Sequence, residues 1–179
     1  YRADKDLRSV APVNVADKNY FKDDNIIEIL ESPYNTIYIA SVNKGVCEID
    51  PRRNKIKTLI SNDKTGFIPV SMLFDKNRKL YTATSKGVYI YSTSDENIQY
   101  LGANRNDKYS LSDAHALSMT IDDSNGIWVG TNAGGINYSG VFQKNFEKYY
   151  TYQDTPLENS FVRGFANDTH GKIWITTEK

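Results

Sequence analysis

One cysteine, two methionines and two histidines occur in 179 residues, and each scarcity removes a class of answers. The lone Cys47 excludes an internal disulfide and any multi-cysteine metal site, and it says nothing of compartment. Charge of one sign is also missing, because 22 Lys+Arg stand against 22 Asp+Glu, so no basic footprint for nucleic acid or an anionic membrane is present. Apolar runs stop at four residues, at Ile37 to Ala40 and Val88 to Tyr91, too short for a membrane span or a signal peptide within this sequence. Helical periodicity is absent too: no 11-residue window sustains apolar residues at i, i+3, i+4 and i+7 with caps, whereas period-2 alternation recurs throughout. What is abundant is aromatic, with 13 Tyr and 7 Phe, and this composition favours strands.

Four segments align on an aromatic residue: Ile37-Tyr38-Ile39-Ala40-Ser41, Leu80-Tyr81-Thr82-Ala83-Thr84, Ile127-Trp128-Val129-Gly130-Thr131 and Ile173-Trp174-Ile175-Thr176-Thr177. The aromatics are 43, 47 and 46 residues apart. Each column follows one rule: aliphatic, aromatic, β-branched, small, hydroxyl. Nine residues before each aromatic lies an apolar residue in its own alternating stretch, namely Ile29, Met72, Met119 and Phe165. The intervening Pro33-Tyr34-Asn35, Lys76-Asn77-Arg78, Asp122 to Gly126 and Asp168 to Gly171 read as hairpin turns. After the aromatic comes a glycine (Gly45, Gly87, Gly135) followed by Val46, Val88 or Ile136, the start of a third strand. A fourth strand is expected near Ile56 to Leu59, Ile98 to Leu101 and Phe146 to Tyr149.

Four strands per repeat of about 45 residues predict an all-β fold, a β-propeller of four-stranded blades. The expected division is 1–24 for the end of a preceding blade, blades at 25–67, 68–114 and 115–160, and the first half of a further blade at 161–179. Tyr1-Arg2-Ala3-Asp4 aligns with Cys47-Glu48-Ile49-Asp50, so the sequence is expected to begin and end in mid-blade as part of a longer array. Seven such blades would need about 315 residues. The alternative is a four-bladed ring closed by residues 1–20 pairing with the hairpin 161–179. Trp128 and Trp174 are expected to fill the space between blades rather than to stack on sugars, with the small residue two places later leaving room for the neighbour.

No constellation in the sequence carries catalysis. His115 and His170 have no histidine, cysteine or carboxylate at metal-site spacing, and His170 sits in a turn. Asp122-Asp123 is explained by capping of the turn backbone, and Gly134-Gly135 precedes a strand rather than a helix that could receive a phosphate. Cys47 reads as a small core residue. No nucleotide, hydrolase or kinase motif occurs, and no catalytic residue, metal or cofactor is assigned.

Topology nevertheless marks a face. In a propeller the loops leading into each first strand share one side with the loops joining second to third strands, and that side is the usual ligand face. Here it comprises Asn43, Lys44, Ser85, Lys86, Asn132 and Glu178, with Asp113, His115 and Arg163 from the approaches to first strands. These amides, hydroxyls and charges supply both donors and acceptors, which suits polyhydroxylated ligands.

The stretch Ser110-Leu111-Ser112 through Asp122-Asp123-Ser124-Asn125-Gly126-Ile127-Trp128-Val129-Gly130-Thr131 to Gly134-Gly135-Ile136 resembles the two-component regulator propeller repeat. Asp168-Thr169-His170-Gly171-Lys172-Ile173-Trp174-Ile175 repeats the pattern with Thr176-Thr177 in place of Gly-Thr. In the first two repeats Tyr38 and Tyr81 stand for the tryptophan, and Ala40 and Ala83 for the glycine. The resemblance covers about residues 25–179. It implies the extracytoplasmic, periplasmic sensor region of a hybrid two-component histidine kinase of Bacteroides type. Such a region would recognise glycan oligosaccharides, act as a homodimer, and control glycan-utilisation genes. Membrane and kinase segments would lie in other parts of such a protein. Two other readings are a propeller enzyme of the streptogramin-lyase type and a dimerisation scaffold that binds no small molecule.

Overall fold

The computed structural model describes residues 2–3, 10–11, 17, 19–32, 36–63, 65–140, 146–149, 157 and 159–178, which are all strand, turn or irregular, with no helix. A short ladder pairs β1 (Arg2–Ala3) with β2 (Val10–Ala11). The first blade follows as β3 (Ile26–Glu31), β4 (Ile37–Ser41), β5 (Gly45–Asp50) and β6 (Lys55–Ile60). The second is β7 (Pro69–Phe74), β8 (Lys79–Thr84), β9 (Gly87–Ser92) and β10 (Ile98–Leu101). The third is β11 (Ala116–Ile121), β12 (Ile127–Thr131), β13 (Ile136–Ser139) and β14 (Glu147–Tyr149). A final hairpin joins β15 (Val162–Asn167) to β16 (Ile173–Thr177). Every pairing within these sheets is antiparallel between consecutive strands, the meander of a propeller blade. The ladders β1–β2 and β15–β16 are separate sheets, so no pairing of residues 1–20 with the last hairpin occurs among the described residues.

The turn between the first two strands of a blade is built by one carboxylate. Asp75 Oδ1 accepts the amides of Asn77 and Lys79 at 2.8 Å each, Asp122 Oδ1 those of Ser124 (2.9 Å) and Gly126 (2.8 Å), and Asp168 Oδ1 those of His170 (2.8 Å) and Lys172 (3.0 Å). The other oxygen receives the aromatic of the second strand: the Tyr81 hydroxyl at 3.5 Å, Trp128 Nε1 at 3.0 Å and Trp174 Nε1 at 3.2 Å. The capping role read for Asp122 is therefore the role of a column, and it also fixes the ring. In the first blade Ser32 Oγ accepts the Thr36 amide instead, and the Tyr38 hydroxyl donates to Glu48. The turn expected at Pro33-Tyr34-Asn35 lies outside the described residues.

The hydroxyl column has an equally local cause. Buried Thr84 and Thr131 donate to the carbonyls of Gly87 (2.8 Å) and Gly135 (2.9 Å), while Ser41, Thr84 and Thr131 accept the amides of Lys44, Lys86 and Gly134 at 3.1–3.2 Å. Each hydroxyl thereby closes the turn into the third strand. The glycine there is compulsory: Gly87 has φ +124°, and a Cβ on it would lie 2.5 Å from the Leu101 carbonyl oxygen. Each first strand also carries a bulge one residue from its start, at Ile27, Val70, Leu117 and Arg163.

Blades stack through two apolar clusters. Tyr38, Ala40, Val46, Met72, Leu80 and Tyr91 lie between the first and second blades. Tyr81, Ala83, Val88, Met119, Ile127 and Val129 lie between the second and third. The column nine residues before the aromatic thus faces the preceding blade and the aromatic faces the following one. Small residues are required beside it, since a Cβ on Gly130 would lie 2.5 Å from Val162 of the next blade.

Burial of the tryptophans departs from expectation. Tyr38 and Tyr81 are buried, but Trp128 is only half-buried and Trp174 is 63% exposed. The ring is covered by the blade that follows. A two-stranded hairpin follows Trp128, and no strand follows β16 among the described residues.

Candidate functional site

Loops on the expected face are tied together in every blade by one backbone hydrogen bond. Val42 donates to the Asn25 carbonyl (3.0 Å), Ser85 to Ile68 (2.9 Å), Asn132 to His115 (2.9 Å) and Glu178 to Phe161 (3.1 Å). Each bond joins the turn after a second strand to the residues leading into the first strand of the same blade. The two loop sets read from topology therefore do share a side.

Side chains then make four local groups. In the first, Asp24 Oδ1 accepts the Asn43 amide at 2.9 Å, the Asn43 side chain reaches the Asp23 carbonyl, and the Lys44 ammonium lies 5.4 Å from the centre of the Tyr20 ring. In the second, Ser85 Oγ accepts the Ile68 amide at 2.9 Å, and the Lys86 ammonium donates to the Thr65 carbonyl. In the third, Asp113 accepts from His115 N (3.2 Å) through one oxygen and from Ala133 N (2.9 Å) through the other, so Asp113, His115 and Asn132 converge. In the fourth, Arg163 pairs with Glu178, and both side chains are about half exposed. Such a pair contributes little stability, so its charges stay open to other partners. A backbone bond from Gly135 to the Ser160 carbonyl (3.1 Å) ties the third group to the fourth. His170 lies apart from all of these, exposed in its hairpin turn with its amide on Asp168. Cys47 is buried, and burial raises its thiol pKa, against its hydrogen bonds with Thr58 and Tyr20.

Sequence reasoning missed three members of this face. Asp24 Oδ2 and Asn62 Oδ1 are shielded acceptors with no hydrogen-bond partner among the described residues, on either side of the turn at 42–44, whose Val42 carbonyl takes the Asn62 side-chain amide. The available signal was an aspartate two or three residues ahead of a first strand, shared by Asp24 and Asp113. The third is Asn137, fully buried, which accepts the Ser112 amide at 2.8 Å and donates to Ser112 Oγ at 2.8 Å. With buried Leu111, and with Ser110 Oγ bonded to both the amide and the carbonyl of Asn104 at 2.9 Å, it fastens the long connection between blades two and three. That is the physical content of the Ser-Leu-Ser motif.

No protein-family model and no curated protein matches this sequence. Solved structures do. The extracellular domain of the hybrid two-component system BT3049 from Bacteroides thetaiotaomicron superposes with a TM-score of 0.70 at 16% identity over 86% of this chain. That of BT4673 from the same organism gives 0.66 at 19% identity, again over 86%. The fold is that of these propellers. This chain spans about a fifth of the length of either domain, 20% in both cases. Streptogramin B lyase is also similar, with a TM-score of 0.64 at 13% identity over 85% of this chain and 48% of its own. The architecture is thus shared by sensor domains and an enzyme, and function has to be argued from the loop face.

Proposed function

We propose that this chain is part of the ligand-sensing propeller of a periplasmic sensor region belonging to a hybrid two-component regulator, and that the ligand is a glycan oligosaccharide. The observation that carries this reading is the superposition on the two extracellular sensor domains over 86% of the chain. The loop face supports it chemically. Its turns are held rigid by the buried hydroxyls and the Asp24 and Asp113 carboxylates, so a ligand meets donors and acceptors that lose little freedom on binding. Asn43, Lys44, Ser85, Lys86, Asn132, Asp113, His115, Arg163 and Glu178 are the proposed contacts. Amides and hydroxyls would share the sugar hydroxyls, and the Arg163–Glu178 pair would offer both signs of charge to a substituted sugar. In a homodimeric receptor the occupied face would bias the relative position of two rigid propellers and so control glycan-utilisation genes.

The test is calorimetric titration of the extracytoplasmic region with a panel of plant and host oligosaccharides, followed by amide shift mapping. Binding of one panel member is expected, with shifts at 42–44, 85–87 and 132–135 and a loss of affinity of about tenfold in Asp113→Ala. Shifts confined to the opposite hairpin turns at 76–78, 122–126 and 168–172, or turnover of the ligand, would overturn the reading.

A further inference from the structure

The two full interfaces between blades are built on the same register, and one of the positions at which they differ exchanges a large ring for a serine. In β9, Tyr91 lies opposite Leu80, and in β13 the residue opposite the equivalent Ile127 is Ser139. Between blades one and two the Tyr91 ring is 5% exposed and packs with Met72 and Leu80; burial raises its pKa, and the nearby Lys57 ammonium works against that rise. Between blades two and three the ring is missing, and a cleft of about 680 Å³ occupies the interface. Val88, Ile90 and Ile127 line it together with the polar Asp75, Lys79 and Gln99. Gln99 stands opposite Ile90 as Lys57 stands opposite Glu48, and Ile90 and Glu48 are themselves equivalent, opposite Tyr81 and Tyr38. The cleft thus has apolar Ile90 where Glu48 stands one interface earlier, and a neutral side chain able to donate and accept where Lys57 stands.

We infer that the cleft between blades two and three is a binding site for a monocyclic phenol, whose ring takes the place of the missing tyrosine ring and whose hydroxyl bonds to Gln99. The volume lies within the range of small-molecule sites, which combine apolar side chains with a few polar groups that fix orientation. Gln99 can both donate to and accept from a phenol hydroxyl, which distinguishes a phenol from a bare hydrocarbon of the same shape. None of the nine proposed loop-face residues lines this cleft, so the site is independent of the glycan reading.

The probes are 4-methylphenol and toluene, titrated into the chain and followed by amide chemical shifts. Saturable binding of 4-methylphenol is expected, with shifts at Ile127, Val129 and Gln99. Ser139→Tyr, which restores the ring in cis, is expected to weaken it at least about tenfold. Gln99→Leu is expected to weaken 4-methylphenol while leaving toluene unchanged. Absence of saturable 4-methylphenol binding to the wild type would overturn the inference, as would unchanged affinity in a Ser139→Tyr variant that melts like the wild type. Should Ser139→Tyr fail to fold, Gln99→Leu decides alone: equal loss for both probes, or loss for neither, overturns the assignment of the hydroxyl.

Discussion

Tyr81 and Trp174 hold the same place in their hairpins and donate to the same turn carboxylate oxygen, yet the first is 9% exposed and the second 63%. Ile29 and Met72 make the complementary pair: the same position in the first strand, with Ile29 65% exposed and Met72 buried. The difference teaches that the repeat encodes two separate things. The bond from the ring to the turn carboxylate is a property of a single hairpin, made in the last one as in the middle of the stack. Burial is a property of two blades, supplied by whichever neighbour lies against the column.

The largest effect expected from this comparison is in the aromatic column. Tyr81→Ala should cost about 3–5 kcal/mol, the range for removing a large buried ring, whereas Trp174→Ala should stay within about 1 kcal/mol as a surface change. Denaturant unfolding of the two variants measures both, and equal losses would break the comparison.

Next is the glycine column. Gly87→Ala combines φ +124° with a Cβ 2.5 Å from a backbone oxygen, so a loss of about 2 kcal/mol or more is expected. Gly164, in the hairpin after the third blade, has only the movable Thr176 hydroxyl at 3.2 Å, and Gly164→Ala should cost less than about 1 kcal/mol by the same measurement.

The turn carboxylates sharpen the single-blade half of the comparison. Asp122→Ala removes the acceptor of two turn amides and of the half-buried Trp128, and should cost about 1–2 kcal/mol. Asp168 makes the same bonds in a fully exposed setting, and the Lys172 and His170 amides with the Trp174 indole lower its pKa. Its contribution is present above the unfolded pKa and is lost as pH falls through the folded one, so Asp168→Asn should narrow the gap from wild type in melting temperature on acidification.

The smallest effect concerns Glu28, whose carboxylate crosses from the first blade to accept the Met72 amide of the second. Burial raises its pKa more than that hydrogen bond lowers it. For a carboxyl raised in the folded state, stability declines as pH rises from the unfolded pKa to the folded one, so ionisation weighs against the interface at neutral pH. Glu28→Gln keeps an acceptor without the charge. It should melt slightly higher than wild type at neutral pH, with the advantage fading below the ordinary carboxylate range.

The stacked blades were legible in the sequence because each column answers to a local rule. Aliphatic and β-branched alternation makes strands, Asn125-Gly126 and the turn aspartates make hairpins, and Gly45, Gly87 and Gly135 all take positive φ. The burial of Trp174 was not legible, because it depends on what lies beyond β16 rather than on its own repeat. The loop face was legible as a side of the molecule but not as a set of bonds. Lys44 over Tyr20 and Asn137 under Ser112 join residues 24 and 25 positions apart, and no periodicity marks such partners. The cleft beside Ser139 was hidden for a related reason. A serine in a strand is unremarkable until the register shows it in the position that Tyr91 holds in the preceding blade.

The two tryptophans allow the central claim, that the following blade decides burial, to be read in one measurement. Iodide quenching of Trp128→Phe, which leaves Trp174 as the reporter, is compared with Trp174→Phe, which leaves Trp128. The account predicts red-shifted emission and strong quenching for Trp174, with blue-shifted emission and weaker quenching for Trp128. Equal quenching of the two, or stronger protection of Trp174, would contradict it.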